Sequence, residues 1–313
     1  MDIILIVAGL LLVLGGANYM TDGSAALAKR FNISEFVIGL TVVALGTSAP
    51  ELVVSLFSAL EGSGEMAIGN VVGSNAFNTY MIIGICAIFT PMALTERNMK
   101  IDIPMGILVS TILLLVCMGG TIHRSYGVIM FLIYIALILF SIKGSKVEFA
   151  DDVPQEGEQI KSMPLWQSIA LTIGGMAALI YGGKIFLEGA VNLAVKHNIP
   201  QNIIAITLLA GGTSLPELAA SVVSLIKGKS DIALGNVIGS NIANILLVLG
   251  VSSSITPLVM GNITLIDILV VVGGSMVVYL AGFVLVKRQI SKIEGAIMIL
   301  IYIAYIARLL SIS

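Results

Sequence analysis

The chain has 313 residues, 58% of them hydrophobic and 11% charged, with a mean hydropathy of +1.06. That composition excludes a water-soluble globular fold, because the apolar runs repeatedly reach the roughly 20 residues that cross a bilayer. The net charge of −2 is spread over short clusters with no basic stripe or interleaved aromatics, so no nucleic-acid partner is expected.

Apolar runs set against polar breaks predict spans near residues 2–28, 35–60, 66–91, 101–119 and 124–142. A second group follows at 164–195, 200–226, 231–257, 263–286 and 292–310. The amino terminus, Met1-Asp2-Ile3-Ile4, lacks the basic region of a secretory signal, and the apolar run behind it is too long for a signal core, so it reads as the first span. Cys86 and Cys117 lie inside apolar runs and read as small buried hydrophobes. No HExxH, Gly-x-Ser-x-Gly or P-loop occurs, so no enzyme and no cofactor are expected.

The two groups of spans are copies of one another at a constant offset of 166 residues. Gly69-Asn70-Val71-Val72-Gly73-Ser74-Asn75 answers to Gly235-Asn236-Val237-Ile238-Gly239-Ser240-Asn241, and seven of the ten residues from 69 to 78 equal their counterparts. Five spans is an odd number, so the second copy enters the membrane from the opposite side. The expected fold is therefore all-α, with ten transmembrane helices in two inverted five-helix repeats and a binding site between broken helices at the midplane. Residues 1–142 form the first repeat, 143–162 a polar linker carrying Asp151-Asp152, Pro154 and Glu156, and 163–313 the second repeat.

With the amino terminus outside, twelve Lys and Arg residues flank the cytoplasmic ends of the spans and only Arg124, Lys196 and Arg308 flank the outer ends. The expectation is a multi-pass protein of the inner or plasma membrane with both termini extracytoplasmic and a cytoplasmic linker.

The chemistry concentrates in Gly46-Thr47-Ser48-Ala49-Pro50-Glu51 and its copy Gly212-Thr213-Ser214-Leu215-Pro216-Glu217. An ionisable side chain at the bilayer centre costs about 2.5–3.5 kcal/mol, so Glu51 and Glu217 mark a functional site. Pro50 and Pro216 break the helix and free backbone carbonyl, which is tolerated at membrane depth only beside a cavity or inside protein. The result is a cage of hard oxygens suited to Ca2+ or Na+. In the following span Asn70, Ser74 and Asn78 recur every four residues and form one polar stripe, matched by Asn236, Ser240 and Asn244. Ser74, Asn78, Ser240 and Asn244 are read as lining the site, and Asn70, Asn75, Asn236 and Asn241 as interhelical hydrogen-bonding residues. Lys184 and Glu188, at the positions of Asn18 and Asp22, are read as an ion pair near a helix end or as water-facing. Asp102, Asp231 and Asp267 are expected to be solvated or helix-capping.

The paired motifs, 46–51 with 69–78 and 212–217 with 235–244, resemble the two alpha-repeats of the sodium/calcium exchanger branch of the calcium/cation antiporter superfamily. The resemblance covers nearly the whole chain. It implies that Glu51 and Glu217 coordinate Ca2+ and share Na+ sites. It also implies oxygens from Thr47, Ser48, Thr213 and Ser214, backbone carbonyls from Ala44 and Ala210, and side-chain oxygens from Ser74, Asn78, Ser240 and Asn244. The first and sixth spans would slide across this core. One departure is Asn244, where many members of the family carry aspartate. Glu217 stands where potassium-dependent relatives carry aspartate, and Gly73 and Gly239 stand where the cation/proton branch carries glutamate.

The expected function is antiport of Na+ against Ca2+ by alternating access. A proton-coupled antiporter and a cation channel built from the same ligands are the alternatives. Ca2+ and Na+ are the transported partners, lipid is the surrounding phase, and a complete inverted pair in one chain suffices for a monomer.

Overall fold

The computed structural model describes residues 2–148, 163–197, 210–283 and 288–312, and within them the chain is almost entirely helical. Residues 149–162 of the expected linker and the first part of the expected span at 200–226 lie outside the described residues, as does Lys287.

The first half comprises α1 (Asp2–Phe31), α2 (Glu35–Thr47), α3 (Ala49–Leu60), α4 (Gly64–Phe89), α5 (Asn98–Cys117) and α6 (Arg124–Glu148). The second comprises α7 (Leu165–Lys196), α8 (Ala210–Thr213), α9 (Leu215–Ile226), α10 (Ser230–Ile255), α11 (Leu265–Ala281) and α12 (Lys292–Ile312). Seven of these helices are long and apolar enough to cross a membrane, and α2 with α3 makes an eighth candidate bent by 47°. The helices α9 and α11 are apolar but shorter.

Burial sorts the helices into centre and periphery. In α4 and α10, 72% and 89% of the apolar stretch is buried, against 22–39% in the other five long helices. So α4 and α10 form the middle of the bundle, while Ile3, Val7 and Leu11 of α1 and Leu132 and Leu139 of α6 are exposed on its outside. An apolar exterior of this kind is what lipid requires.

The two longest helices, α1 and α7, lie antiparallel along a glycine seam. A Cβ at Gly9 would sit 2.8 Å from the Gly182 carbonyl, one at Gly16 2.7 Å from the Gly175 carbonyl, and one at Gly189 2.8 Å from the Asp2 carbonyl. Gly9, Gly16 and Gly23 recur every seven residues, and Gly175, Gly182 and Gly189 are their counterparts at the 166-residue offset. Only backbones without side chains approach so closely. At one end of the pair Lys196 Nζ binds Asp2 Oδ2.

Two small antiparallel strand pairs join the halves. β1 (Met92–Ala93) pairs with β4 (Gln289–Ile290), and β2 (Thr121–Ile122) with β3 (Leu258–Val259). β1 and β3 are offset by 166, so each pair joins a strand of one half to a strand of the other.

Among the expected polar residues, Asp267 caps α11 through Thr264 and binds Arg308 at 3.1 Å. Asp102 departs from the expectation. It is fully buried, accepts from Asn98 Nδ2 at 3.1 Å and faces Arg97 at 3.7 Å, because a π-helical turn at Asn98–Asp102 rolls it inward. Lys184 and Glu188 are both exposed on α7.

Candidate functional site

Each acidic motif sits at a helix break. Pro50 falls in the first turn of α3 and Pro216 in the first turn of α9, where a missing amide hydrogen costs nothing. The residues at the breaks, Ser48 (φ −81°, ψ 6°) and Ser214 (φ −87°, ψ 6°), share one bridge-region conformation, which is common at functional positions. The new helix starts at once, and its first turn carries Glu51 or Glu217, both fully buried.

The breaks aim the two motifs at each other. Ser48 Oγ donates to Glu217 Oε1 at 3.1 Å, and Ser214 Oγ donates to Glu51 Oε1 at 3.3 Å. Ser74 Oγ on α4 adds a second bond to Glu51 Oε1 at 3.3 Å. On the other side, Thr47 Oγ1 donates to Asn236 Oδ1 at 3.1 Å and lies 3.4 Å from Ser240 Oγ. The network therefore gathers Glu51, Glu217, Ser48, Ser214, Ser74, Thr47 and Ser240.

The remaining expected ligands stand at its margins. The carbonyl of Ala44 is buried and accepts from the Ser48 amide at 3.0 Å and the Thr47 hydroxyl at 3.4 Å. Ala210 opens the short helix α8, and Thr213, its last residue, lines a cleft. Asn78 and Asn244 are fully buried one turn beyond Ser74 and Ser240, where α4 and α10 pass through π-helical turns at Phe77–Ile82 and Asn244–Leu249. Such turns are frequent at functional sites.

The second set of asparagines holds the helices in place. Asn70 Nδ2 donates to the Glu51 carbonyl at 3.3 Å and to Ser55 Oγ at 3.0 Å, and Asn236 Nδ2 to the Glu217 carbonyl at 3.2 Å and Ser221 Oγ at 2.9 Å. Asn75 Nδ2 reaches the carbonyl of its own counterpart Asn241 at 3.2 Å, and Asn244 Nδ2 donates to Asn75 Oδ1 at 3.0 Å. Ser55 and Ser221 escaped the motif reading. The signal was present, since each follows its glutamate by four residues in both halves. Thr79, which accepts from Asn241 Nδ2 at 2.7 Å, has no such signal because Ile245 stands at the matching position.

Several buried polar atoms of the site lack a hydrogen-bond partner among the described residues. They are Oε2 of Glu51, Oε2 of Glu217, Oγ1 of Thr213, Oδ1 and Nδ2 of Asn78, Oδ1 of Asn241 and Oδ1 of Asn244. Leaving such groups unpaired costs about 1–3 kcal/mol each, and more when they are charged. Two carboxylates among neutral hydroxyl and amide oxygens fit a hard cation, the cargo such a site would carry.

A cleft of about 890 Å³ lies beside the network, lined by Val54, Glu65, Asn70, Leu187, Thr213 and Ile263 among others. The counterparts of Asn70 and Thr213 are Asn236 and Thr47, which are buried and bonded to each other. The site is thus flanked by open space on one side and by closed packing on the equivalent side.

A family model described as sodium/calcium exchanger protein matches residues 1–143 and 167–311. The sodium/calcium exchanger MaX1 of Methanosarcina acetivorans is 30% identical over 97% of both chains. The inner membrane protein YrbG of Escherichia coli is 34% identical over 81% of this chain and 79% of its own. Structures of the sodium-calcium exchanger NCX_Mj, soaked with Na+ and Ca2+ or with Na+ and Sr2+, superpose with TM-scores of 0.84 and 0.85 at 29% identity, over 98% of this chain and 97% of theirs. A multi-pass helical chain with these relatives, carrying two buried carboxylates in a cross-linked oxygen network, belongs to the sodium/calcium exchanger family of cation antiporters.

Proposed function

We propose that this protein exchanges Na+ for Ca2+ across the membrane by alternating access at a site between two inverted repeats. The observation that carries the proposal is the reciprocal pair of bonds from Ser48 to Glu217 and from Ser214 to Glu51, which leaves one oxygen of each buried carboxylate without a partner. Ten spanning segments, five in 1–142 and five in 163–313, are joined by a cytoplasmic linker at 143–162, with both termini outside. The antiparallel seam of α1 and α7, the strand pairs between halves and the contact of Asn75 with Asn241 support this symmetry. A residue that touches its own counterpart lies close to a two-fold axis.

Glu51 and Glu217 would ligate the cations at the midplane. Thr47, Ser48, Thr213, Ser214, Ser74, Ser240, Asn78, Asn244 and the carbonyls of Ala44 and Ala210 would supply neutral oxygens. Two glutamates carry −2, which one Ca2+ cancels, so Ca2+ and a set of Na+ ions compete for one charge. A site loaded with three Na+ moves a net charge, and the membrane potential then contributes about 2.3 kcal/mol per 100 mV for each charge moved. The cleft beside Thr213 is the entry route on one face, and α1 with α7 would slide to close it and open the other.

The test is uptake of calcium-45 into proteoliposomes loaded with Na+, K+ or choline at matched pH. Uptake from Na+-loaded vesicles alone, lost in Glu51→Gln, is the expected result. Equal uptake from all loads, or uptake that follows a pH gradient, would sink the Na+ coupling.

A further inference from the structure

On the closed side of the site, α1 is clamped to the far end of α9. Lys227 Nζ binds Asp22 Oδ1 at 2.5 Å and the Asn18 carbonyl at 2.9 Å, and Thr21 Oγ1 lies 2.9 Å from Ser224 Oγ. At the 166-residue offset, Asn18, Thr21 and Asp22 become Lys184, Leu187 and Glu188 on α7, while Ser224 and Lys227 become Ser58 and Glu61 at the end of α3. These counterparts are apart. Glu61, Lys184 and Glu188 are exposed, no ion pair or hydrogen bond joins them among the described residues, and Leu187 lines the open cleft.

The charges have been transposed between the two places. On the closed side the acid is on the long helix and the base ends the short one. On the open side the acid, Glu61, ends the short helix. Simple repetition would bring Glu61 against Glu188, two like charges. Lys184 stands one helical turn before Glu188 on the same face, where Asn18 is neutral, and it supplies the missing cation.

From this juxtaposition we infer that Lys184 and Glu61 form a second latch, made when α7 closes over α3 and alternating with the Asp22–Lys227 latch that now holds α1 to α9. The inference rests on the inverted-repeat exchange reading. It adds the residues that balance the two end states, and neither pair touches the cation. Partly exposed ion pairs bias an equilibrium only modestly, so each latch should shift the balance by about two- to fivefold. A weak latch suits a cycle that has to leave both states.

The experiment uses full-length protein in proteoliposomes with Val54→Cys as a reporter of the open cleft, read by a membrane-impermeant maleimide. The native Cys86 and Cys117 are buried and stay silent. Lys227→Gln is expected to lower Val54→Cys labelling and Lys184→Gln to raise it, each about two- to fivefold. In chains without the Val54 thiol, a short bifunctional thiol reagent should join Glu61→Cys to Lys184→Cys and Asp22→Cys to Lys227→Cys alike, read by mass spectrometry as one bridging reagent per chain. Glu61→Lys should slow turnover, and adding Lys184→Glu should restore it. Joining of the Asp22 and Lys227 pair but never of the Glu61 and Lys184 pair, or no rescue by the double reversal, would overturn the latch. Because labelling and joining need no transport, they stand apart from the calcium-45 test: a wild type that labels as expected without Na+-driven uptake loses the exchange reading alone.

Discussion

Ser48 donates its hydroxyl to Glu217 Oε1 across 3.1 Å, so the carboxylate of one acidic turn is held by the helix break of the other. The reverse bond, from Ser214 to Glu51 Oε1, is shared with Ser74, which reaches the same oxygen. The Thr47 and Ser240 hydroxyls also bond the Glu217 carboxylate.

Each carboxylate is thus held by hydroxyls from both halves, which predicts matched serine variants. Ser48→Ala removes the hydroxyl donated from the opposite break to Glu217 Oε1, and a hydrogen bond to a charged group is worth about 1.5–3 kcal/mol. Apparent Ca2+ affinity should fall by roughly 10- to 150-fold. Ser214→Ala removes the reverse bond to Glu51 Oε1 and should cost about as much. Calcium-45 uptake measured against external Ca2+ concentration compares the two, and an unchanged affinity in either variant would count against this account.

Asn244 is held in its place by what it donates. Its Nδ2 reaches Asn75 Oδ1, while Asn75 Nδ2 is engaged with the Asn241 carbonyl. Asn244→Asp would bring two acceptors together inside the core, at a cost of about 1–3 kcal/mol. A lowered melting temperature in detergent is the expected outcome, and restoring stability by a second change at Asn75 would identify this contact as the cause.

The seam between α1 and α7 supplies its own control. A Cβ at Gly16 would lie 2.7 Å from the Gly175 carbonyl and 2.8 Å from the Leu179 amide, whereas at Gly15 it meets nothing within 4 Å. Gly16→Ala should destabilise by about 1–3 kcal/mol through overpacking. Gly15→Ala should be neutral or stabilising by up to about 1 kcal/mol through helix propensity. Thermal unfolding of the two variants, one residue apart, reads the difference.

The Arg97–Asp102 pair predicts a large loss on breaking. Asp102 is 1% exposed, and Asp102→Ala leaves the Arg97 guanidinium buried without its carboxylate, a change worth about 3–5 kcal/mol. Glu96→Ala, which removes the exposed partner of Lys100 and Arg288, should leave the melting temperature unchanged. A small effect of Asp102→Ala would show that this buried pair at the start of α5 carries little of the stability.

Much of this was legible in the sequence because its signals are local or repeated. Apolar run length predicted the long helices, since a bilayer demands a minimum reach, and the 166-residue offset exposed Glu51 and Glu217 as a pair. The proline at each break was visible, as were the asparagines that hydrogen-bond between helices. Other facts depend on which surfaces meet, and no spacing encodes that. The crossing of Ser48 to Glu217 needed both breaks placed face to face. Asp102 was expected near water, and only the π-helical turn and the neighbouring Arg97 carry it into the core. Thr47 with Asn236 and Thr213 with Asn70 are counterparts at the 166-residue offset, yet one pair is buried and bonded and the other lines a cleft. Sequence symmetry makes the two places equivalent. Only the packing tells them apart, with α1 set against α9 through Lys227 and Asp22 on one side and no matching contact among the described residues on the other.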